Sequence, residues 1–427
     1  MSPAALLLAL LLLGGCTLGV EGGQRTATGS EQGGVGREVD EASVTTTLPL
    51  AQLLGEVVDA GDDPVPGATV TVGERTAISA ADGWFDILAS PGPLRAEKPG
   101  WVGTEMAWDG SSAFIEVGME PLRIHGLRVS AEAAGDDAKF SALLTLADET
   151  AINTLVFDTK QEGGRVFYDT KVMDAHDSGA VLLAYDPAQR VAQAKEHGLY
   201  AITRIVTFED SYRAKAHPEE AYDDAWINPT IASAWEYPLA LAEEACGLGF
   251  DEIQFDYVRF PSGSTVELSG QLDMTQAERI AAIEGFLREA RTRLHAVGCA
   301  VSADVFGIVV SAENDQGIGQ RPEELSHNLD AFSPMIYPSH YSNGWLGFDD
   351  PNEHPYDVTS AAIEDAAARI EPGVVLRPWL QAFWWTNEEI RRSIQAAEDH
   401  GVGWILWNAV SNFDREAIPT DAELASP

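Results

Sequence analysis

The chain has 427 residues, 45% of them hydrophobic, enough for a large core and for more than one domain. Asp and Glu outnumber Lys and Arg by 67 to 27, a formal net charge of -40. A chain this acidic repels phosphate backbones and anionic headgroups, which excludes nucleic acid as a partner, and no run has the spacing of a calcium loop.

In chain order, "PAALLLALLLLGGC" is apolar, too short to span a bilayer, and ends in small residues before Cys16. Leu13-Gly14-Gly15-Cys16 resembles a bacterial lipobox, where the signal is cleaved ahead of a cysteine that then carries lipid. One departure is that no Lys or Arg precedes the apolar run. An ordinary signal peptide is the alternative, and both imply export. The expectation is a lipoprotein signal peptide over residues 1–15, lipidation at Cys16, and anchorage to the bacterial cell envelope. Residues 16–50, rich in Gly, Thr, Ser, Glu and Gln, read as a flexible tether. Cys246 and Cys299 precede neighbouring strands, so a disulfide and two free thiols are both open.

Residues 51–120 change texture. "LLGEVVDAGDDPVPGATVTVGERTAISAADGWFDI" alternates apolar and polar residues and breaks at turn signals. Gly55 to Asp59, Pro64 to Val70 and Asp82 to Phe85 resemble the carboxypeptidase regulatory-like module. That resemblance implies a small β-sandwich acting as a spacer or weak binding domain.

Residues 121–427 alternate strands and helices, the pattern of a parallel sheet with helical crossovers. Eight strand candidates follow in order: "LRIHGLRV", "INTLVFDTK", "LYAITRIVTF", "FDEIQFDYVRF", "AVSADVFGI", "AFSPMIYPSHY", "VLRPWLQAFW" and "GWILWNAV". Asp186-Pro187 starts a helix that Gly198 ends, and Thr386 with Glu389 forms a capping box. Ile280, Ile283, Leu287, Ala290, Leu294 and Val297 mark one buried helical face. Pro238 is expected to kink or split the helix before the fourth strand. The fold class is α/β, a (β/α)8 TIM barrel with a small N-terminal all-β sandwich; an open doubly wound sheet is the alternative.

Strand alternation divides each segment into two faces. On the fourth strand, Ile253, Phe255 and Tyr257 oppose Glu252, Gln254, Asp256 and Val258. On the fifth, Val301, Ala303 and Val305 oppose Ser302, Asp304 and Phe306. On the second, Leu155 and Phe157 oppose Val156, Asp158 and Lys160. The apolar sets suit outer helices, so the polar sets face the lumen. Active sites of this fold lie at the C-terminal strand ends, where Asp158, Asp256 and Asp304 fall, whereas Asp251 and Glu252 lie at the opposite mouth. Carboxylates at the ends of strands four and five suit glycosidic cleavage, so Asp256 and Asp304 are the candidate catalytic pair. Asp158, Arg204, Arg259, Tyr337, His340, Gln381, Trp407 and Asn408 are the candidate substrate contacts. Tyr337, Trp384, Trp385 and Trp407 are expected to supply walls that stack on sugar rings.

"VFDTK", "ITRIVTF", "WINP", "GFDEIQFDYVRFP", "VSADVFG", "PMIYPSHY", "WLQAF" and "GWILWNA" together resemble the glycoside hydrolase domain family of bacterial envelope and secreted proteins, over residues 122 to 413. The resemblance implies a (β/α)8 barrel related to amylase-type hydrolases, with Asp256 as nucleophile. Such barrels carry a Glu as acid on the fifth strand, where this chain has Asp304. The leading expectation is an envelope-anchored enzyme cleaving O-glycosidic bonds of a polysaccharide, with no cofactor and no metal. A non-catalytic glycan-binding or scaffold lipoprotein is the second reading. A metal-dependent hydrolase using His340, Asp349, Asp350 and His354 is the third.

Overall fold

The computed structural model describes residues 49–262 and 274–425. The expected signal segment, Cys16 and all but the end of the tether lie outside those residues.

Nine short strands come first: β1 (Ala51–Val58), β2 (Thr69–Val72), β3 (Arg75–Ile78), β4 (Trp84–Ala89), β5 (Gly92–Glu97), β6 (Trp101–Val102), β7 (Thr104–Trp108), β8 (Phe114–Gly118) and β9 (Glu120–Pro121). They form one sheet in the order β4-β1-β8, a second in the order β3-β2-β5-β7, and a β6-β9 ribbon. Alternate residues point inward, so Leu53, Val57, Phe85, Ile87 and Val117 of the first sheet share a core with Val70, Val72, Leu94 and Ala96 of the second. This is a small β-sandwich.

The barrel strands are β10 (His125–Val129), β11 (Thr154–Lys160), β12 (Tyr200–Val206), β13 (Glu252–Asp256), β14 (Ala300–Phe306), β15 (Ala331–Ile336), β16 (Val375–Leu376), β17 (Trp379–Gln381) and β18 (Trp404–Trp407). All pair in parallel, and β14 pairs with β15 while β10 pairs with β18, which closes the sheet. Arg377 and Pro378 interrupt the seventh position, so the single expected strand "VLRPWLQAFW" becomes β16 and β17, both paired to β15. The barrel therefore has eight strand positions among the described residues.

Most of the expected helix signals act locally as expected. Asp186 accepts from Gln189 N at the start of helix Pro187–Glu196, and Thr386 and Glu389 form a reciprocal capping box on Asn387–Asp399. Helix Gln276–Ala296 buries Ile280, Ile283, Leu287, Ala290 and Leu294, but Val297 lies past its end and is 53% exposed. Pro238 does not kink its helix. It falls in the first turn of Glu236–Gly247, where backbone N–H groups have no intrahelical acceptor to lose. Cys246, at the end of that helix, is disulfide-bonded to Cys299, just before β14. Among the described residues no helix is long and apolar enough to cross a membrane.

The sandwich sits against the N-terminal end of the barrel. Ala331 and Val375, at the starts of β15 and β16, join the sandwich core, and Lys98 Nζ and Trp101 Nε1 both donate to Gly373 O, at 2.7 and 3.3 Å. Burial lowers the Lys98 pKa to about 8. At this same end the lumen is closed by Glu252, which accepts from Ser302 Oγ and from both terminal nitrogens of Arg377. Both charges are 1% exposed. Arg377→Met is expected to strand the Glu252 carboxylate and cost about 3–5 kcal/mol, while the double variant Glu252→Met/Arg377→Met recovers most of it. Denaturant unfolding of the three proteins checks this.

Candidate active site

The C-terminal mouth of the barrel opens into a cleft of about 600 Å³, lined among others by Glu162, Arg204, Asp256, Tyr257, Arg259, Phe306, Tyr337, His340, Trp345 and Trp407. Its floor is an ion network on the lumen face. Arg204, from β12, is 1% exposed and touches four carboxylates. Its Nη1 lies 3.0 Å from Asp158 Oδ1, its Nε donates to Asp256 Oδ2 at 2.8 Å, and its Nη2 reaches both Asp256 Oδ2 (2.7 Å) and Glu162 Oε1. Asp304 Oδ2 stands 3.9 Å from its Nε. Arg128, from β10, pairs with Asp158 and donates to Asn408 O and Ala409 O, with its guanidinium 4.2 Å from the centre of the Trp407 ring.

The carboxylates are not equivalent. Burial, reinforced by Glu162 and opposed by Arg204, lifts the Asp256 pKa above the ordinary aspartate range. Burial and then the Asp256 carboxylate push the Asp304 pKa further up. Its Oδ1 accepts from Trp379 Nε1 at 2.7 Å, while Oδ2 has no hydrogen-bond partner among the described residues. Burial also works against the charge on Glu162, but Arg204 outweighs it and brings that carboxyl below the usual glutamate range. Glu162 retains 30% side-chain exposure.

Two breaks in strand alternation shape this mouth. Tyr257 has φ +49°, the left-handed region that side chains with a Cβ seldom occupy, and its N–H donates to Asp256 Oδ1 at 2.6 Å. The parity of β13 flips there. Tyr257, expected to pack on the outer helices, lines the cleft, and Val258, expected inside, joins Phe260 in the helix-facing core. The second break is a register shift in β11 after Asp158. It carries Lys160 out of the lumen, where Nζ donates to Val206 O and pairs with Asp210 at 2.9 Å. Gly307 makes the cleft wall possible, since a Cβ there would lie 2.4 Å from Met335 O and 2.7 Å from Tyr341 Oη.

The sequence-derived candidates separate accordingly. Asp256, Arg204, Arg259, Tyr337, His340 and Trp407 line the cleft. Burial lowers the His340 pKa, which keeps the ring neutral. Asp158 and Asp304 are buried beneath, at 0% and 1% exposure. Gln381 is also outside the cleft. It accepts from Ser339 N and Oγ and donates to Asn352 and Phe383 O, which fastens the loop after β15. Asn408 caps the turn after β18 by accepting from Val410 N and Asn412 N. Trp384 and Trp385 are not walls of this cleft. Trp384 projects outward at 83% exposure, and both border a separate hollow with Phe413. The walls come instead from Tyr257, Phe306, Tyr341 and Trp345. Among the described residues no group of three or more His, Cys, Asp or Glu side chains gathers as metal ligands. His354 stacks on Phe348 and Asp350 caps the turn that follows it. Glu162 escaped the sequence reading because it lies beyond the strand. Its position in the loop after β11, on the C-terminal side of the barrel, was the available signal.

A closed parallel barrel with carboxylates in an aromatic-walled cleft at its C-terminal mouth is the setting in which glycoside hydrolases work. Residues 126–413 match the family described as "Putative glycosyl hydrolase domain", and the chain belongs to that family. It is accordingly an enzyme of the glycoside hydrolase class. Among curated proteins none matches the chain. Of solved structures, the glycoside hydrolase domain of PgaB (BpsB) from Bordetella bronchiseptica is similar over 68% of this chain and 95% of its own, with 12% identity and a TM-score of 0.50. That likeness shows the shared fold. A hypothetical protein from Ruminiclostridium thermocellum is 30% identical over 42% of this chain and 97% of its own, with a TM-score of 0.37. A chitinase from Chromobacterium violaceum is 13% identical over 71% and 100%, with a TM-score of 0.46.

Arg204→Met is expected to leave these carboxylates crowded in a desolvated floor and cost about 3–5 kcal/mol at neutral pH. The folded-state pKa values of Asp256 and Asp304 would then rise further above the unfolded ones. The deficit should therefore be largest at neutral pH and shrink as pH falls through the unfolded carboxylate range near roughly 4. Thermal denaturation across pH 4–7 measures it, and a deficit independent of pH would refute the network's role.

Proposed function

We propose that the protein hydrolyses O-glycosidic bonds of an envelope or extracellular polysaccharide, with Asp256 and Glu162 as the carboxyl groups that meet the sugar. The observation that carries this is one guanidinium, Arg204, shared by two cleft-lining carboxyls whose environments push their pKa values in opposite directions. Asp256, favoured in its neutral form, donates its proton to the leaving glycosidic oxygen. Glu162, held ionised, faces the anomeric centre from within the same cleft. Asp304 replaces neither, because it lies under the floor; it acts on Asp256 through the Arg204 they share.

Two oxygens bound to one nitrogen stand within about 6 Å of each other. That separation favours the retaining course, in which Glu162 attacks the anomeric carbon and Asp256 afterwards activates water, over the wider spacing of inverting enzymes. Tyr257, Phe306, Trp345 and Trp407 offer faces for sugar rings on either side. Export and lipid anchorage through Cys16 belong to the same proposal. They are supported by the lipobox-like start and by a disulfide suited to an oxidising compartment.

Reducing-sugar release from envelope and storage glycans is the direct test. Asp256→Asn and Glu162→Gln should each lower the rate by about 10²–10⁴-fold. The kcat/KM profile should be bell-shaped with an acidic maximum. Its lower limb belongs to Glu162 and lies below the usual glutamate range, and its upper limb belongs to Asp256 and lies above the usual aspartate range. Equal release by wild type and variants would sink the assignment, and glycan binding without turnover by the wild type would make the barrel a binding module.

A further inference from the structure

Arg259 stands apart from the other arginines of the mouth. Arg128 is neutralised by Asp158, and Arg204 by four carboxylates. Arg259 is 6% exposed and lines the cleft, yet among the described residues no carboxylate oxygen lies within 4.0 Å of it. Asp256 and Glu209 act on it only from farther away. Its one hydrogen bond among those residues runs from Nη1 to Phe260 O, at 2.9 Å. A guanidinium has five N–H donors, so most of its hydrogen-bonding capacity is unspent on the described protein.

Its orientation is nevertheless set. The guanidinium carbon lies 4.7 Å from the ring centre of Trp226, 4.9 Å from that of Tyr257 and 4.4 Å from that of Phe306. Aromatic faces attract a cation but bring no counter-charge and accept no strong hydrogen bond. The flipped parity at Tyr257 is what brings the residue here, since Val258 and Phe260 on either side of Arg259 pack into the outer core. The result is a pre-oriented cation with spare donors in the same cleft as Asp256 and Glu162.

We infer that the cleft takes a glycan bearing uronic acid residues, and that Arg259 selects it by pairing with the sugar carboxylate. This rests on the hydrolase reading above and adds the substrate class. A sugar hydroxyl would satisfy the spare donors and leave the charge uncompensated, whereas a carboxylate does both and matches the planar fork with two parallel bonds. The overall charge of -40 does not forbid an anionic substrate. Exposed charges more than about 8 Å away are largely screened at physiological ionic strength, and the guanidinium is in contact.

The test is titration calorimetry of the full chain carrying Asp256→Asn, which silences turnover, with oligogalacturonate, oligoglucuronate and alginate hexasaccharides. Each is compared with its carboxyl-reduced, neutral counterpart. At least one uronate should bind about tenfold or more tighter than its reduced form, with the preference falling as salt rises. Adding Arg259→Gln should erase the preference, and Arg259→Lys should restore part of it. Equal binding of native and reduced sugars throughout, or a preference that survives Arg259→Gln, overturns the inference. Should the Arg259 variants fail to fold, the native-against-reduced comparison on the Asp256→Asn protein still decides. Uronate binding without cleavage by the wild type would defeat the hydrolase reading and leave this inference standing. Cleavage of neutral glycans alone would do the reverse.

Discussion

Arg204 holds the mouth of the barrel together. Four carboxyls converge on it, and Arg128 pairs with one of them. Burial disfavours every charge in the group, yet the surrounding carboxylates keep Arg204 firmly protonated. Two cations facing four acids leave an excess of negative charge in a poorly solvated floor. Burial there raises the pKa of Asp304 and of Asp256 and so eases their protonation.

The two ends of the barrel use charge differently. At the N-terminal end Glu252 and Arg377 form a closed pair, satisfied by Ser302 and covered by the region where the sandwich docks. At the C-terminal end the network is incomplete by design of the backbone: the turn at Tyr257 and the register shift after Asp158 pull Lys160 out and turn Arg259 in. Removing one cation from the floor and placing another on the wall separates the charge that tunes the acids from the charge free to bind. The sandwich, seated at the opposite end, leaves this mouth open.

Much of this was readable from residue order. Period-two alternation assigned Asp158, Asp256 and Asp304 to the lumen and Ile253, Phe255, Val301 and Ala303 to the helices, and each lies where that pattern put it. Alternation is a local rule, so it failed where the local backbone departs from a regular strand. Tyr257, Val258 and Lys160 were placed on the wrong faces for that reason. Depth was equally illegible: three aspartates at three strand ends look alike in sequence and all three are buried, yet only Asp256 lines the cleft. The tryptophans mislead similarly, because Trp384 sits at φ +62° and points away from the mouth that Trp345 and Tyr341 line.

The sequence by itself determined the parallel barrel, the preceding sandwich, the end at which the cleft opens and the Asp256 carboxylate on the fourth strand that lines it. Those features depend on hydrophobic period, strand order and chain direction, all written locally. Only the tertiary structure decided which second carboxyl lines the cleft, which aspartates have raised pKa values and which arginine has no carboxylate partner among the described residues. Those outcomes depend on burial and on distances between strands far apart in the chain, and a pKa or an ion pair has no value until that packing sets them.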